Sequence, residues 1–176
     1  MKNIIAFAGS NSKRSINKDL AIYASTLVEG AEVNVLDLND FNLPLYGIDY
    51  EIANGIPDLA HKFLELIKAS NGIILSLAEH NGAYTTVFKN LFDWMSRIDG
   101  KLWGDIPMLL MATSPGARGG ISVLEMAKAR FPFMGGYVVA EFSLPSFGDN
   151  FSKGKIVNNE LNAKLEEQVK LFNQAL

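Results

Sequence analysis

Short apolar runs alternate with longer stretches of helical periodicity along this chain, and that alternation restricts the fold more than any other feature. The clearest run is Gly72-Ile73-Ile74-Leu75-Ser76-Leu77. It shows no polar alternation, as expected of a strand buried on both faces of a parallel sheet. Ile4 to Ala8, Glu32 to Leu38, Met108 to Ala112 and Tyr137 to Phe142 read as four further strands. Between them, apolar residues recur at helical spacing. The first such stretch holds Ile16, Leu20, Tyr23, Ala24 and Leu27, with Ser15 as its N-cap. Pro57-Asp58 opens a second through Leu59, Phe63, Leu66 and Ile67. Tyr84, Val87, Phe88, Leu91, Phe92 and Met95 form a third stripe, Ile121 to Ala129 a short fourth, and Leu161, Leu165, Gln168, Val169 and Phe172 a closing helix. Residues 39–56 read as a loop carrying Leu43-Pro44-Leu45-Tyr46 and several acids.

Five strands separated by helices imply an α/β protein with a parallel sheet covered on both faces. The expected architecture is a flavodoxin-like three-layer sandwich, strand order 2-1-3-4-5, with residues 1–176 forming one domain. No linker, repeat or low-complexity segment divides the chain. Ligands of such sheets bind beyond the carboxyl ends of the strands, at the switch point. Attention therefore falls on the loops after the first, third and fourth strands.

Composition removes several function classes. A net charge of −3 offers no bulk attraction to nucleic acid. No apolar run reaches the roughly 18 residues that suggest a membrane span. The chain has no cysteine, which excludes disulfides, thiolate metal sites and cysteine nucleophiles. That composition, and a first strand beginning almost at Met1 with no room for a secretory leader, lead us to expect a cytoplasmic protein.

The first loop, Gly9-Ser10-Asn11-Ser12-Lys13-Arg14-Ser15-Ile16-Asn17, joins a strand to a helix. It lacks the Walker spacing and the dinucleotide Gly-x-Gly-x-x-Gly pattern. What remains is a hydroxyl-rich cradle of Ser10, Ser12, Arg14, Ser15 and Asn17. Unpaired N–H groups at a helix start, from Ile16 onward, attract phosphate. In the second loop, Asn81 offers donors and an acceptor to a heterocycle edge, and Gly82 permits a tight turn or close ligand approach. His80 is suited to ring stacking or hydrogen bonding, and Glu79 either to acid–base work or to ordering the loop. In the third loop, Pro115-Gly116 is a turn signal, and Gly119-Gly120 lets backbone approach a flat ligand.

Together these motifs resemble the NADPH-dependent FMN reductases of the flavodoxin-like superfamily, which include quinone, chromate and azo-dye reductases. Gly9-Ser10 with Arg14-Ser15 and Asn17 is similar to that family's FMN-phosphate loop. Glu79, Asn81 and Gly82, leading to Lys89-Asn90-Leu91-Phe92-Asp93-Trp94, resemble its Pro-Glu-Tyr-Asn-Gly loop and following helix. Ser114-Pro115-Gly116 with Gly119-Gly120 resembles its Ser-Pro-Gly-Gly loop against the flavin ring. Ala78, His80 and Ala117 depart from the family's usual Pro, Tyr and Gly.

The resemblance implies FMN held by Ser10, Ser12, Arg14, Ser15, Ile16, Asn17, Glu79, His80, Asn81, Gly82, Ser114, Pro115, Gly116, Arg118 and Gly119. It implies NADPH or NADH as donor and a quinone or similar small molecule as acceptor. A flavin carries the redox chemistry itself, so no catalytic triad or metal cluster is required. Arg14 or Arg118 is available for the 2′-phosphate of NADPH. The family's dimers and tetramers, and the wide apolar arc that Trp94 adds to its helix, lead us to expect a homodimer or homotetramer. On the resemblance, residues 41–51 lie near a neighbouring active site. Alternatives are a flavodoxin-type electron carrier and a flavodoxin-like protein without flavin. A two-component receiver domain fits poorly, since Ala8-Gly9-Ser10 and Ala78-Glu79-His80 stand where its metal-binding acids belong.

Overall fold

The computed structural model describes residues 1–176. In chain order its elements are β1 (Lys2–Ala8), α1 (Ile16–Thr26), β2 (Ala31–Leu36), α2 (Ile48–Asn54), α3 (Asp58–Lys68), β3 (Gly72–Leu77), β4 (Glu79–His80), β5 (Ala83–Tyr84), α4 (Thr86–Ile98), β6 (Pro107–Thr113), α5 (Ile121–Arg130), β7 (Tyr137–Leu144), α6 (Phe147–Asn150), β8 (Phe151–Ser152), β9 (Lys155–Ile156) and α7 (Asn159–Ala175). The main sheet has five strands in the order β2-β1-β3-β6-β7, every neighbouring pair parallel. Counting only these strands, that is the expected 2-1-3-4-5 order.

Two cores lie on the two faces of the sheet. Side chains alternate across a strand, so Ile5 and Phe7 join the core under α3, α4 and α5, while Ile4 and Ala6 join the one under α1 and α7. All six residues of β3 are buried, which explains its unbroken apolar sequence.

Three readings of the chain need correction. Residues 39–56 are not all loop, because α2 forms within them; none of its residues is buried, so no apolar face announces it. The segment after β3 is a hairpin rather than an open loop. β4 and β5 pair antiparallel around Asn81-Gly82, with φ of +53° and +74°. Positive φ at both central residues is what a type I′ turn needs, and Asn-Gly supplies it. The wide arc on α4 is closed from within the chain. Trp94 is fully buried, its indole N–H donating to Pro44 O at 2.8 Å and its ring meeting Tyr46 edge-on at 5.0 Å. Residues 41–51 thus fold onto their own α4, with Asn90 accepting from Tyr46 N at 2.7 Å and donating to Pro44 O at 3.0 Å.

Candidate functional site

At the carboxyl end of the sheet, β1 passes into the 9–17 loop. Gly9 N–H still donates to Ser76 O at 2.9 Å, extending the ladder one residue beyond β1. The chain then turns through two short side-chain bonds, Ser12 N–H to Ser10 Oγ at 3.1 Å and Arg14 N–H to Ser12 Oγ at 3.3 Å. Ser15 caps α1 as expected, its Oγ accepting from Lys18 N–H. Lys18 is the first backbone donor of the helix. The N–H groups of Ile16 and Asn17 therefore lie in a first turn without intrahelical acceptors, where the helix dipole is positive. The Arg14 side chain is exposed and takes part in no ion pair of the chain.

The Asn17 side chain does something different. It is 2% exposed, donates to Thr113 O at 3.1 Å, and accepts from Thr113 N–H at 3.0 Å and Ser76 Oγ–H at 2.7 Å. It is a buried joint between α1, β3 and β6, and only its backbone N–H remains for a ligand.

A cavity of about 180 Å³ joins the loops after β1, β3 and β6. Ser10, Ser12, Arg14, Ser15, Ile16, Asn17, Glu79, His80, Ser114 and Pro115 from the expected set all line it, together with Ala78 and Thr113. Asn81, Gly82, Gly116, Arg118 and Gly119 do not. Asn81 and Gly82 form the exposed hairpin tip. The Arg118 guanidinium lies along α5, at 3.3 Å from Ser122 Oγ.

The 114–120 loop is built chiefly against β7. Gly119 has φ of +58°, and a Cβ there would stand 2.5 Å from Ser143 Oγ and 2.9 Å from Leu144 C. Packing on the end of β7 thus requires a glycine here, a demand that its sequence context, read as approach to a flat ligand, does not show. Gly116 O accepts from Ser146 N–H at 2.9 Å, Ser114 O from Phe147 N–H at 3.1 Å, and Gly119 O from Ser143 Oγ–H at 3.0 Å.

Glu79 closes the frame. Gly120, the N-cap of α5, has no side chain with which to cap it. Glu79 Oε2 reaches across and accepts from Val123 N–H at 3.0 Å. A carboxylate at a helix N-terminus is favoured by the dipole, so the negative charge beside the cavity is partly compensated. Of the two roles open to Glu79 in the sequence, the geometry supports ordering of the loop.

Tyr84, at the base of the hairpin, is committed to packing. Its ring lies parallel to Phe131 at 6.3 Å, its hydroxyl is buried without a partner, and burial pushes its phenol up to about 12. It stays neutral throughout the physiological range.

A second, larger cavity of about 640 Å³ shares a wall with the first at His80. It lies between the segment after β2 and the first turn of α4. The loop after β2 carries no phosphate or flavin signature, so the sequence gives Asn39 and Asn11 no role and marks Asn42 only as part of the 41–51 segment near a neighbouring active site.

The family model described as NADPH-dependent FMN reductase matches residues 2–149. The chain belongs to that family. Among relatives of the FMN reductase chain, a 2-hydroxy-1,4-benzoquinone reductase from Burkholderia sp is 34% identical over 118 residues, covering 66% of this chain and 62% of the relative. A quinone reductase of Escherichia coli strain K12 is 28% identical over 118 residues, with the same 66% and 62% coverage. The chain therefore spans somewhat less than two thirds of the length of these two relatives. Among solved structures, the flavoenzyme NAD(P)H:(acceptor) oxidoreductase FerB from Paracoccus denitrificans superposes with a TM-score of 0.77 at 25% identity, covering 99% of this chain and 96% of that one. No helix is long and apolar enough to cross a membrane, and no cluster of metal-ligating side chains occurs.

Proposed function

We propose that this protein is an FMN-dependent oxidoreductase that takes reducing equivalents from NADPH or NADH and passes them to a quinone or similar small acceptor. The observation that carries the reading is the cavity at the sheet's carboxyl end, lined by three loops and by the free first turn of α1. The residues fit a mononucleotide. Ser10, Ser12 and Ser15 supply hydroxyls, Ile16 and Asn17 supply N–H groups, and Arg14 supplies a cation with no competing partner. Such charge-assisted donors are those a phosphate dianion needs. At about 180 Å³ the cavity is smaller than whole-ligand pockets, which run from roughly 300 Å³. It would therefore hold the phosphate end, with His80, Ser114 and Pro115 at the wall available to the ring. FMN supplies the two-electron chemistry when bound.

In this reading the chain binds, orients and frames. Glu79 and Gly119 hold the hairpin and the 114–120 loop at fixed spacing. Asn81, Gly82, Gly116 and Arg118 shape the outer edge. The names of the quinone-reducing relatives support a quinone acceptor. The domain is the whole 1–176 span, and the cysteine-free composition supports a cytoplasmic setting. Self-association as a homodimer or homotetramer is supported by apolar side chains one turn apart on α2: Ile48 is 53% exposed and Ile52 78%. Isolated exposed apolar residues are ordinary, but a contiguous set marks an interface.

Titration of the purified protein with FMN, followed by anaerobic addition of NADPH, tests the reading. The expected result is saturable FMN binding and rapid bleaching of the flavin band. Absence of measurable FMN binding would overturn it. Binding without reduction by either nicotinamide would turn it into an electron carrier.

A further inference from the structure

The 640 Å³ cavity beside the FMN cradle has a lining with a distinct chemistry. Leu38, Phe41, Leu43, Leu45 and Val87 give it apolar walls, and its polar residues are carboxamides, threonines and His80. No lysine, arginine, aspartate or glutamate lines it. The neighbouring cradle differs in having Arg14 and Glu79 in its wall.

Several polar groups of the larger cavity are already spent. Thr85 Oγ donates to Gly9 O at 2.8 Å and accepts from Phe88 N–H at 3.2 Å. Asn90 is bonded to the Leu43–Tyr46 segment. Asn11, Asn42 and Thr86 remain, since none of the chain's side-chain hydrogen bonds engages them, and so do the N–H groups of Thr86 and Val87 in the first turn of α4. The site therefore combines apolar walls, uncommitted donors and no formal charge. Donors without a cation suit carbonyl oxygens. They do not repay the desolvation of a multiply charged oxyanion. The positive end of α4 also favours an oxygen that gains negative charge as its ring is reduced.

We propose that this cavity is the acceptor site, and that it selects an uncharged quinone over an anionic acceptor such as chromate or a sulfonated azo dye, with Asn11, Asn42 and the first turn of α4 meeting the quinone oxygens. The inference rests on the FMN-reductase reading above. It goes beyond that reading in assigning the acceptor a place, a set of recognising residues and a charge preference. His80, common to both cavities, puts this site next to the FMN cradle.

The experiment uses the FMN-loaded protein and menadione as the probe. Menadione is added without nicotinamide, and the side-chain amide resonances of Asn11 and Asn42 are followed. Both are expected to shift saturably with menadione, and neither with chromate at the same concentration. In steady state, Asn42→Leu is expected to raise the KM for menadione about tenfold relative to that for ferricyanide, the equivalent of one good hydrogen bond. Its FMN dissociation constant is expected to match the parent's. Unmoved Asn11 and Asn42 resonances, an unchanged KM ratio, or shifts that follow protein concentration instead of menadione (a second copy covering the cavity) would each overturn the proposal. A protein that binds no FMN overturns the broader reading instead, and the menadione titration of the flavin-free protein still reports on the cavity.

Discussion

The two sides of the proposed FMN cradle are built in opposite ways. On the phosphate side, the 9–17 loop leaves much of its bonding capacity unused: Arg14 has no ion pair, and the first turn of α1 has free N–H groups. On the ring side, the hairpin spends its capacity on α5, through Glu79 to Val123, and the 114–120 loop spends its own on residues 143–147, through Ser114, Gly116 and Gly119. One side keeps uncommitted donors, and the other is a frame closed by its own bonds. Stability and binding should therefore separate when the two sides are mutated.

Asn17 sits where that separation fails, and it should give the largest effect. Asn17→Ala removes three buried bonds and leaves Ser76 and Thr113 unsatisfied. At about 1–3 kcal/mol for each stranded group, we expect a loss of roughly 3–4 kcal/mol in urea unfolding, with FMN binding lost alongside. A loss below 1 kcal/mol would show that the joint is dispensable. Arg14→Ala should do the reverse. Exposed and unpaired, Arg14 should leave the unfolding midpoint unchanged, while FMN affinity weakens by about 1.5–3 kcal/mol if a charged hydrogen bond to phosphate is lost. Equilibrium fluorescence titration decides this, and unchanged affinity would remove Arg14 from the phosphate site.

Glu79 tests the frame. Glu79→Ala deletes a helix cap worth about 1 kcal/mol, and exchange of the Val123 amide should quicken correspondingly. Glu79→Gln keeps the accepting oxygen and should restore most of the protection. If Gln is as damaging as Ala, charge matters more than the bond. The smallest effect is expected of Tyr84→Phe. Removing a buried hydroxyl that has no partner should be neutral or stabilise by up to about 1 kcal/mol in thermal unfolding. Destabilisation would mean that the hydroxyl is satisfied in solution.

Periodicity identifies the five sheet strands because each is either buried on both faces or flanked by well-patterned helices, and their order follows from the flavodoxin-like class expected of that alternation. It failed at α2, whose residues are all at least partly exposed and so show no apolar stripe. The hairpin at Asn81-Gly82 was legible: a two-residue Asn-Gly turn is a strong short-range signal, here masked by reading the same residues as ligand contacts. Glu79 was not legible as a cap, because its partner lies 44 residues away and only the sheet order brings them together. The structural task of the Asn17 side chain is not legible either, since a polar residue in a phosphate loop and a buried joint look identical in one dimension. The larger cavity depends on Asn11, Asn42 and Thr86, which converge from three separate segments and share no motif.

The Asn17 joint has a thermodynamic consequence for any ligand of the cradle. The turn proposed to receive the phosphate is bonded through Asn17 to β3 and β6, two central strands, so it cannot detach without disturbing the sheet. Occupancy and global unfolding are then one linked equilibrium. A ligand at one hundred times its dissociation constant should add about 2.7 kcal/mol to the stability of the whole fold. The melting temperature thus becomes a binding isotherm, able to rank FMN against riboflavin or free phosphate without following any colour or turnover.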